Sequence, residues 1–120
     1  MSKKTVVIGA STNPDRYGYM ATVALQKFNY PVVPLGIREG EINGEKILLG
    51  KPEITDVETV TLYVSPMNQP EWYDYIISLK PERVIFNPGT ENPAFENLLR
   101  KNNIEPVEAC TLVMLSIGNY

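Results

Sequence analysis

Short runs of apolar and β-branched residues alternate along the chain with longer stretches whose apolar positions recur at helical spacing. Thr5–Gly9 ("TVVIG") reads as a buried strand ended by glycine. Gly18–Phe28 predicts a helix with Met20, Val23, Ala24 and Phe28 on one face. Pro31 introduces a second short strand, Val32–Leu35. The following "GIREGEINGEKILLGKPEI" carries four glycines and reads as a loop with room for one short strand at Lys46–Leu49. Thr59–Val64 ("TVTLYV") is a third strand of high β propensity. After it, "SPMNQPEWYDYIISL" predicts a helix with Pro70 near its start and Trp72, Ile76 and Leu79 at helical spacing. Arg83–Phe86 is the fourth strand, and a helix follows with Asn92 as N-cap and Pro93 at its first position. Phe95, Leu98 and Leu99 form the apolar face of that helix. Glu105–Ala109 is the fifth strand, and Thr111–Ile117 a short last helix capped by Thr111.

Strands separated by helices predict an α/β architecture, a parallel sheet covered on both faces. The expected topology is a Rossmann-like, doubly wound five-stranded parallel sheet in the order 3-2-1-4-5, with residues 1–120 as one domain. Such sheets bind ligands beyond the carboxyl ends of the strands, near the point where strand order reverses. The segments that reach this edge are Gly9–Tyr17, Gly36–Gly40, Ser65–Asn68, Asn87–Asn92 and Ala109–Thr111.

Composition narrows the partners. The 120 residues are 43% apolar and 21% charged, which is ordinary for a globular protein. A net charge of −3 argues against a general nucleic-acid surface, because phosphate backbones call for a basic face. No run approaches the roughly 20 apolar residues of a membrane span, and "MSKK" leads straight into a strand rather than a leader. With a single cysteine, an internal disulfide is excluded, and the expectation is a cytoplasmic protein. The chain has no histidine, which removes Ser-His triads, His-ligated zinc and phosphohistidine chemistry, and no metal site is expected.

The edge loops carry the candidate chemistry. In the first, Gly9 permits a tight turn but no G-x-G-x-x-G follows; Ala10, Ser11 and Thr12 lead on instead, and the next glycine is Gly18. Ser11 and Thr12 offer hydroxyls and amides beside a helix N-terminus, which suits phosphate. Arg16 adds a bidentate fork, and Tyr17 closes the candidate loop. After the second strand an NAD site would place an acid about 20 residues beyond the glycine motif. Here the chain reads Leu35-Gly36-Ile37-Arg38. An arginine suits a phosphorylated ribose, the 2′-phosphate of NADP or the 3′-phosphate of coenzyme A. Gly36 lets an adenosine approach the backbone, and Ile37 can pack on its base. Ser65, Pro66 and Met67 form an uncharged wall after the third strand, and Pro88 and Gly89 a glycine turn after the fourth. Glu91, beside that turn, is placed either as a general base or, in the first helical turn, as a complement to the macrodipole. Cys110, next to a helix start, is either a thiol with a redox or ligand role or a small buried residue. No paired acid and base and no activated nucleophile stands out.

The stretches "VVIGASTNPDRYGYMA", "VVPLGIREGEINGEKI", "TLYVSP" and "FNPGTENPAF…EPVEAC" resemble, in order and over nearly the whole chain, the small stand-alone CoA-binding domain proteins. That family is similar to the CoA-binding domain of the succinyl-CoA synthetase α-subunit. The resemblance implies coenzyme A or an acyl-CoA lying across the carboxyl edge. Gly9, Ala10, Ser11 and Arg16 would then fall in the pyrophosphate loop and Arg38 near the ribose phosphate. Ser65, Pro66 and Met67, then Pro88 and Gly89, match the later loops, and Cys110 matches a cysteine common in the family. Two departures stand out: Gly36-Ile37 replaces the N-P usual after the second strand, and Thr111-Leu112-Val113-Met114 is less polar than in relatives. The synthetases' phosphohistidine has no counterpart here.

Three functions fit these expectations. The first is a CoA-binding protein without catalysis of its own, serving as carrier, sensor or regulatory module. The second is an NADP-dependent oxidoreductase with an atypical glycine loop. The third is a protein-interaction module regulated by CoA, with a homodimer or another protein as its partner.

Overall fold

The computed structural model describes residues 4–120. Among the described residues eight strands form: β1 (Thr5–Ile8), β2 (Val32–Gly36), β3 (Glu41–Ile42), β4 (Glu45–Lys46), β5 (Leu48–Leu49), β6 (Thr59–Leu62), β7 (Arg83–Phe86) and β8 (Glu105–Glu108). The helices are α1 (Tyr17–Lys27), α2 (Tyr73–Leu79), α3 (Pro93–Lys101) and α4 (Thr111–Ser116). Six strands make one parallel sheet in the order β5-β2-β1-β6-β7-β8, while β3 and β4 pair as a small antiparallel hairpin.

The α/β, doubly wound, Rossmann-like class stands, with a different strand count and order. The strand expected third, β6, does not lie outside β2. It pairs with β1 on the other side, residue for residue from Thr5↔Thr59 to Ile8↔Leu62. All four of its residues are fully buried, as a central strand requires. The place outside β2 goes to two-residue β5, reached through the β3–β4 hairpin rather than through a helix. Pro34 has no N–H to give, and the β2–β5 ladder starts only at Leu35.

Alternation along the strands fills two cores. Val6 and Ile8, Val60 and Leu62, and Val84 and Phe86 share one face with Ile76 of α2 and Phe95 and Leu99 of α3. Val7 and Ile85 share the other with Leu25 of α1 and Met114 and Leu115 of α4. The sidedness expected for α1 is corrected here. Its buried residues are Gly18, Ala21, Thr22 and Leu25, while Phe28 is 47% exposed. The first turn of the helix lies so close to the end of β1 that only glycine fits at position 18, and further along Leu25 enters the core in place of the expected Met20 and Val23.

Helix starts differ in what satisfies them. Asn92 caps α3 as expected, accepting from the Phe95 amide at 3.2 Å. The segment before α2 begins as two single 3-10 turns, Pro66–Asn68 and Pro70–Trp72. The expected cap of α4 is corrected: Thr111 is its first residue and Cys110 occupies the cap position without a capping bond. The Thr111 amide is satisfied by Asn87 Oδ1 at 2.9 Å, across from the end of β7.

Candidate functional site

At the carboxyl edge of the sheet the first loop is held by its own turns. The Asn13 amide donates to Ser11 Oγ at 3.0 Å, the Asp15 amide to Asn13 Oδ1 at 3.0 Å, and the Arg16 amide to the Asn13 carbonyl at 3.0 Å. The Gly9 and Ala10 amides both donate to the Leu35 carbonyl, at 3.1 and 2.8 Å, which ties the loop to the end of β2. Gly9 has φ +103, and a Cβ there would come within 2.9 Å of the Tyr63 carbonyl oxygen. Arg16 is the N-cap of α1 but its side chain makes no cap bond, and the first helical turn holds no acid. The amides of that first turn therefore keep the free valence and positive field of a helix start.

A cleft of about 1020 Å³ opens over this edge. Of the expected binding residues, Gly9, Ala10, Ser11, Thr12, Arg16, Gly36, Ile37, Arg38 and Ser65 line it. Tyr17, Pro66, Met67, Pro88 and Gly89 lie outside its wall, as does Cys110. The Gly89 amide is engaged by Glu91 Oε1 at 2.9 Å, and Glu91 precedes the α3 cap instead of standing in the first helical turn. Ile37 is 88% exposed, an apolar side chain standing free at the cleft.

The sequence reading missed one wall. Leu49, Gly50 and Lys51 after β5, together with Asn68, Glu71 and Trp72 before α2, complete the cleft. The Lys51 ammonium lies 5.3 Å from the centre of the Trp72 ring. Tyr75 meets Trp72 edge-on at 5.9 Å and donates its hydroxyl to the Pro52 carbonyl at 2.6 Å, which fastens the chain just after Lys51 to α2. The short strand expected at Lys46–Leu49 coincides with β5, but nothing local in the sequence places it beside β2, which is what brings this wall to the cleft.

Behind the cleft, a buried polar layer fixes the strand ends. Asn87 donates to Thr61 Oγ1 at 2.7 Å and to the Leu62 carbonyl at 3.0 Å, and the Thr61 and Thr111 hydroxyls pair at 2.7 Å. The Tyr63 hydroxyl is buried beside that pair, outside hydrogen-bonding geometry to it among the described residues. Burial pushes it up to about 12, so it remains a neutral phenol at physiological pH. Gln69, fully buried, donates to the carbonyls of Val64 and Thr90 at 2.8 Å each and accepts from Asn92 at 2.9 Å.

A parallel sheet with a glycine turn after β1, a helix start beside an arginine, and a cleft running from there past the end of β2 defines a domain of the Rossmann-like α/β class. The family described as CoA binding domain matches residues 3–116, and the chain belongs to it. Membership supports coenzyme A binding in general. The fold is shared with a crystal structure of an uncharacterized protein at 49% identity and TM-score 0.96, covering 100% of this chain and 99% of that one. The cell-free ID.343 protein of Thermus thermophilus is similar at 21% identity and TM-score 0.86, covering 99% and 91%. A hypothetical protein of Pyrococcus horikoshii OT3 is similar at 24% identity and TM-score 0.87, covering 97% and 83%. No curated protein matches the chain. Among the described residues no helix is long and apolar enough to cross a membrane.

Proposed function

We propose that the chain binds coenzyme A or an acyl-CoA in the cleft at the carboxyl edge and performs no catalysis of its own, acting as a carrier, sensor or regulatory module. One observation carries this reading: Arg16 at the uncapped start of α1 and Arg38 beyond β2 line the same cleft. One would meet the pyrophosphate and the other the ribose phosphate. The α1 start and Ser11 would take the pyrophosphate; Gly9 and Ala10 shape that loop, their amides being held by Leu35. Gly36 and Ile37 would face the adenosine. The other ionisable groups on the wall are Glu39, Lys51, Tyr63 and Glu71, and no ion pair joins any of them to the arginines among the described residues.

Thermal shift tests the reading. Coenzyme A at 100 times its Kd adds about 2.7 kcal/mol to stability, which for a domain of this size raises the melting temperature by on the order of 10 °C. Absence of any shift with millimolar coenzyme A or acetyl-CoA would refute it. A larger shift with NADPH would favour the oxidoreductase reading instead.

A further inference from the structure

The two walls of the cleft that end β2 and β5 each carry a cation. Leu35 pairs with Leu48 and Gly36 with Leu49, and these are the last rungs of the β2–β5 ladder. Arg38 and Lys51 each lie two residues beyond the final rung, so adjacent parallel strands release them at corresponding positions of the sheet edge. Both line the cleft and both are exposed. Neither is held by an ion pair among the described residues. Two acids, Glu39 and Glu71, stand on the same wall, so a single cation there would be a poor host for a dianion.

We propose that Lys51 and Arg38 together form the subsite for a phosphomonoester on an adenosine ribose, and that Trp72 is where the Lys51 ammonium rests until that phosphate arrives. This rests on the reading of the cleft as a CoA site and adds to it the residue that selects the ribose phosphate. The anchoring supports it: the Pro52 carbonyl is bonded to Tyr75 and Trp72 packs on Tyr75, so the stem of Lys51 springs from a fixed point beside the cleft. An exposed cation–π contact at 5.3 Å is weaker than a charge-assisted bond to phosphate, so the ammonium moves to the anion when one is present. The flexible lysine stem permits the move, and both Lys51 and Trp72 line the cleft.

The same chemistry is offered by the 3′-phosphate of coenzyme A and the 2′-phosphate of NADP, and calorimetric titration with four ligands separates them. The parent chain and Lys51→Met are each titrated with coenzyme A, dephospho-CoA, NADPH and NADH. Lys51→Met is expected to bind coenzyme A about tenfold more weakly, the loss of one charge-assisted bond, with dephospho-CoA unchanged and Lys51→Arg retaining most of the affinity. Trp72 is the single tryptophan, so its fluorescence is expected to change with coenzyme A and not with dephospho-CoA. Equal losses for coenzyme A and dephospho-CoA, or no loss for either, overturn the role of Lys51 while leaving the CoA reading in place. A phosphate-dependent loss seen with NADPH and not with coenzyme A keeps the subsite and overturns the CoA reading. Binding of none of the four to the parent chain overturns both.

Discussion

Gly18, in the first turn of α1, lies against the carbonyl of Gly9 at the end of β1, so close that a Cβ on Gly18 would overlap the Gly9 backbone. The longer loop between these glycines thus ends where a shorter dinucleotide loop would, with helix packed directly on strand. Of the three jobs glycines do in a dinucleotide fingerprint, tight turn, close ligand approach and close helix–strand contact, Gly9 does the first and Gly18 the third. The nine positions from Gly9 to Tyr17 are held by Ser11, Asn13 and Arg16 through nested turns.

Gly18→Ala is therefore expected to destabilise. Helix propensity alone favours alanine by about 1 kcal/mol. Overpacking against a backbone that cannot yield costs about 1–3 kcal/mol and sometimes more, so the contact wins. The melting temperature should fall by several degrees, at about 4–8 °C per kcal/mol for small domains. An unchanged or higher melting temperature would show that α1 can shift away from β1.

Arg16→Ala separates binding from folding. Its side chain is exposed and makes no capping bond, so stability without ligand should stay within about 0.5 kcal/mol of the parent. Affinity for coenzyme A should fall by about 1–3 kcal/mol, the range for a charge-assisted contact. Titration calorimetry reads both the affinity and the stoichiometry; unchanged affinity would mean that Arg16 does not contact the ligand.

How much of this was legible depends on the range of the interaction. The Asn92–Pro93 start of α3 is local chemistry within four residues, and it was read correctly. The strands β1, β2 and β7 are continuous buried runs and were placed to within a residue or so. The short strand expected at Lys46–Leu49 is found as β5, but the sheet order was not legible, because only tertiary pairing with Leu35 and Gly36 puts that strand outside β2. Without that pairing, Lys51 and Trp72 had no visible relation to Arg38. The α1 face was misread because periodicity marks apolar residues, whereas close approach to β1 selects glycine at position 18. The cap of α4 was missed because its donor and acceptor are 24 residues apart in sequence.

That long-range cap makes Asn87 a stability determinant. It is 1% exposed, and its amide serves Thr61, Leu62 and the first N–H of α4 at once. Asn87→Ala leaves buried partners unsatisfied and should lower stability by about 1–3 kcal/mol, measured by urea denaturation. Because α4 carries Met114 and Leu115 into the core, near-ultraviolet dichroism should report looser packing on the α1–α4 side. A variant as stable as the parent would mean that water or rearranged hydroxyls replace the amide.

The carboxyl of Glu108 sets a pH dependence. The neighbouring Glu96 side chain, foremost, and then Glu91 favour the neutral form of Glu108 and raise its pKa above the ordinary glutamate value of 4.5. Glu96 also accepts the Asn92 amide at 3.1 Å at the start of α3. A raised folded-state pKa means that the folded chain binds more protons than the unfolded one in the window above 4.5. The contribution of this group is therefore full at pH below the ordinary value and is lost as pH rises through the raised one. Glu108→Gln removes the charge that faces Glu96 at every pH. It should melt higher than the parent at neutral pH, and the two curves should converge as pH falls below 4.5. Melting temperatures across that range check the sign, and parallel curves would mean that Glu96 does not hold the Glu108 carboxyl above its ordinary pKa.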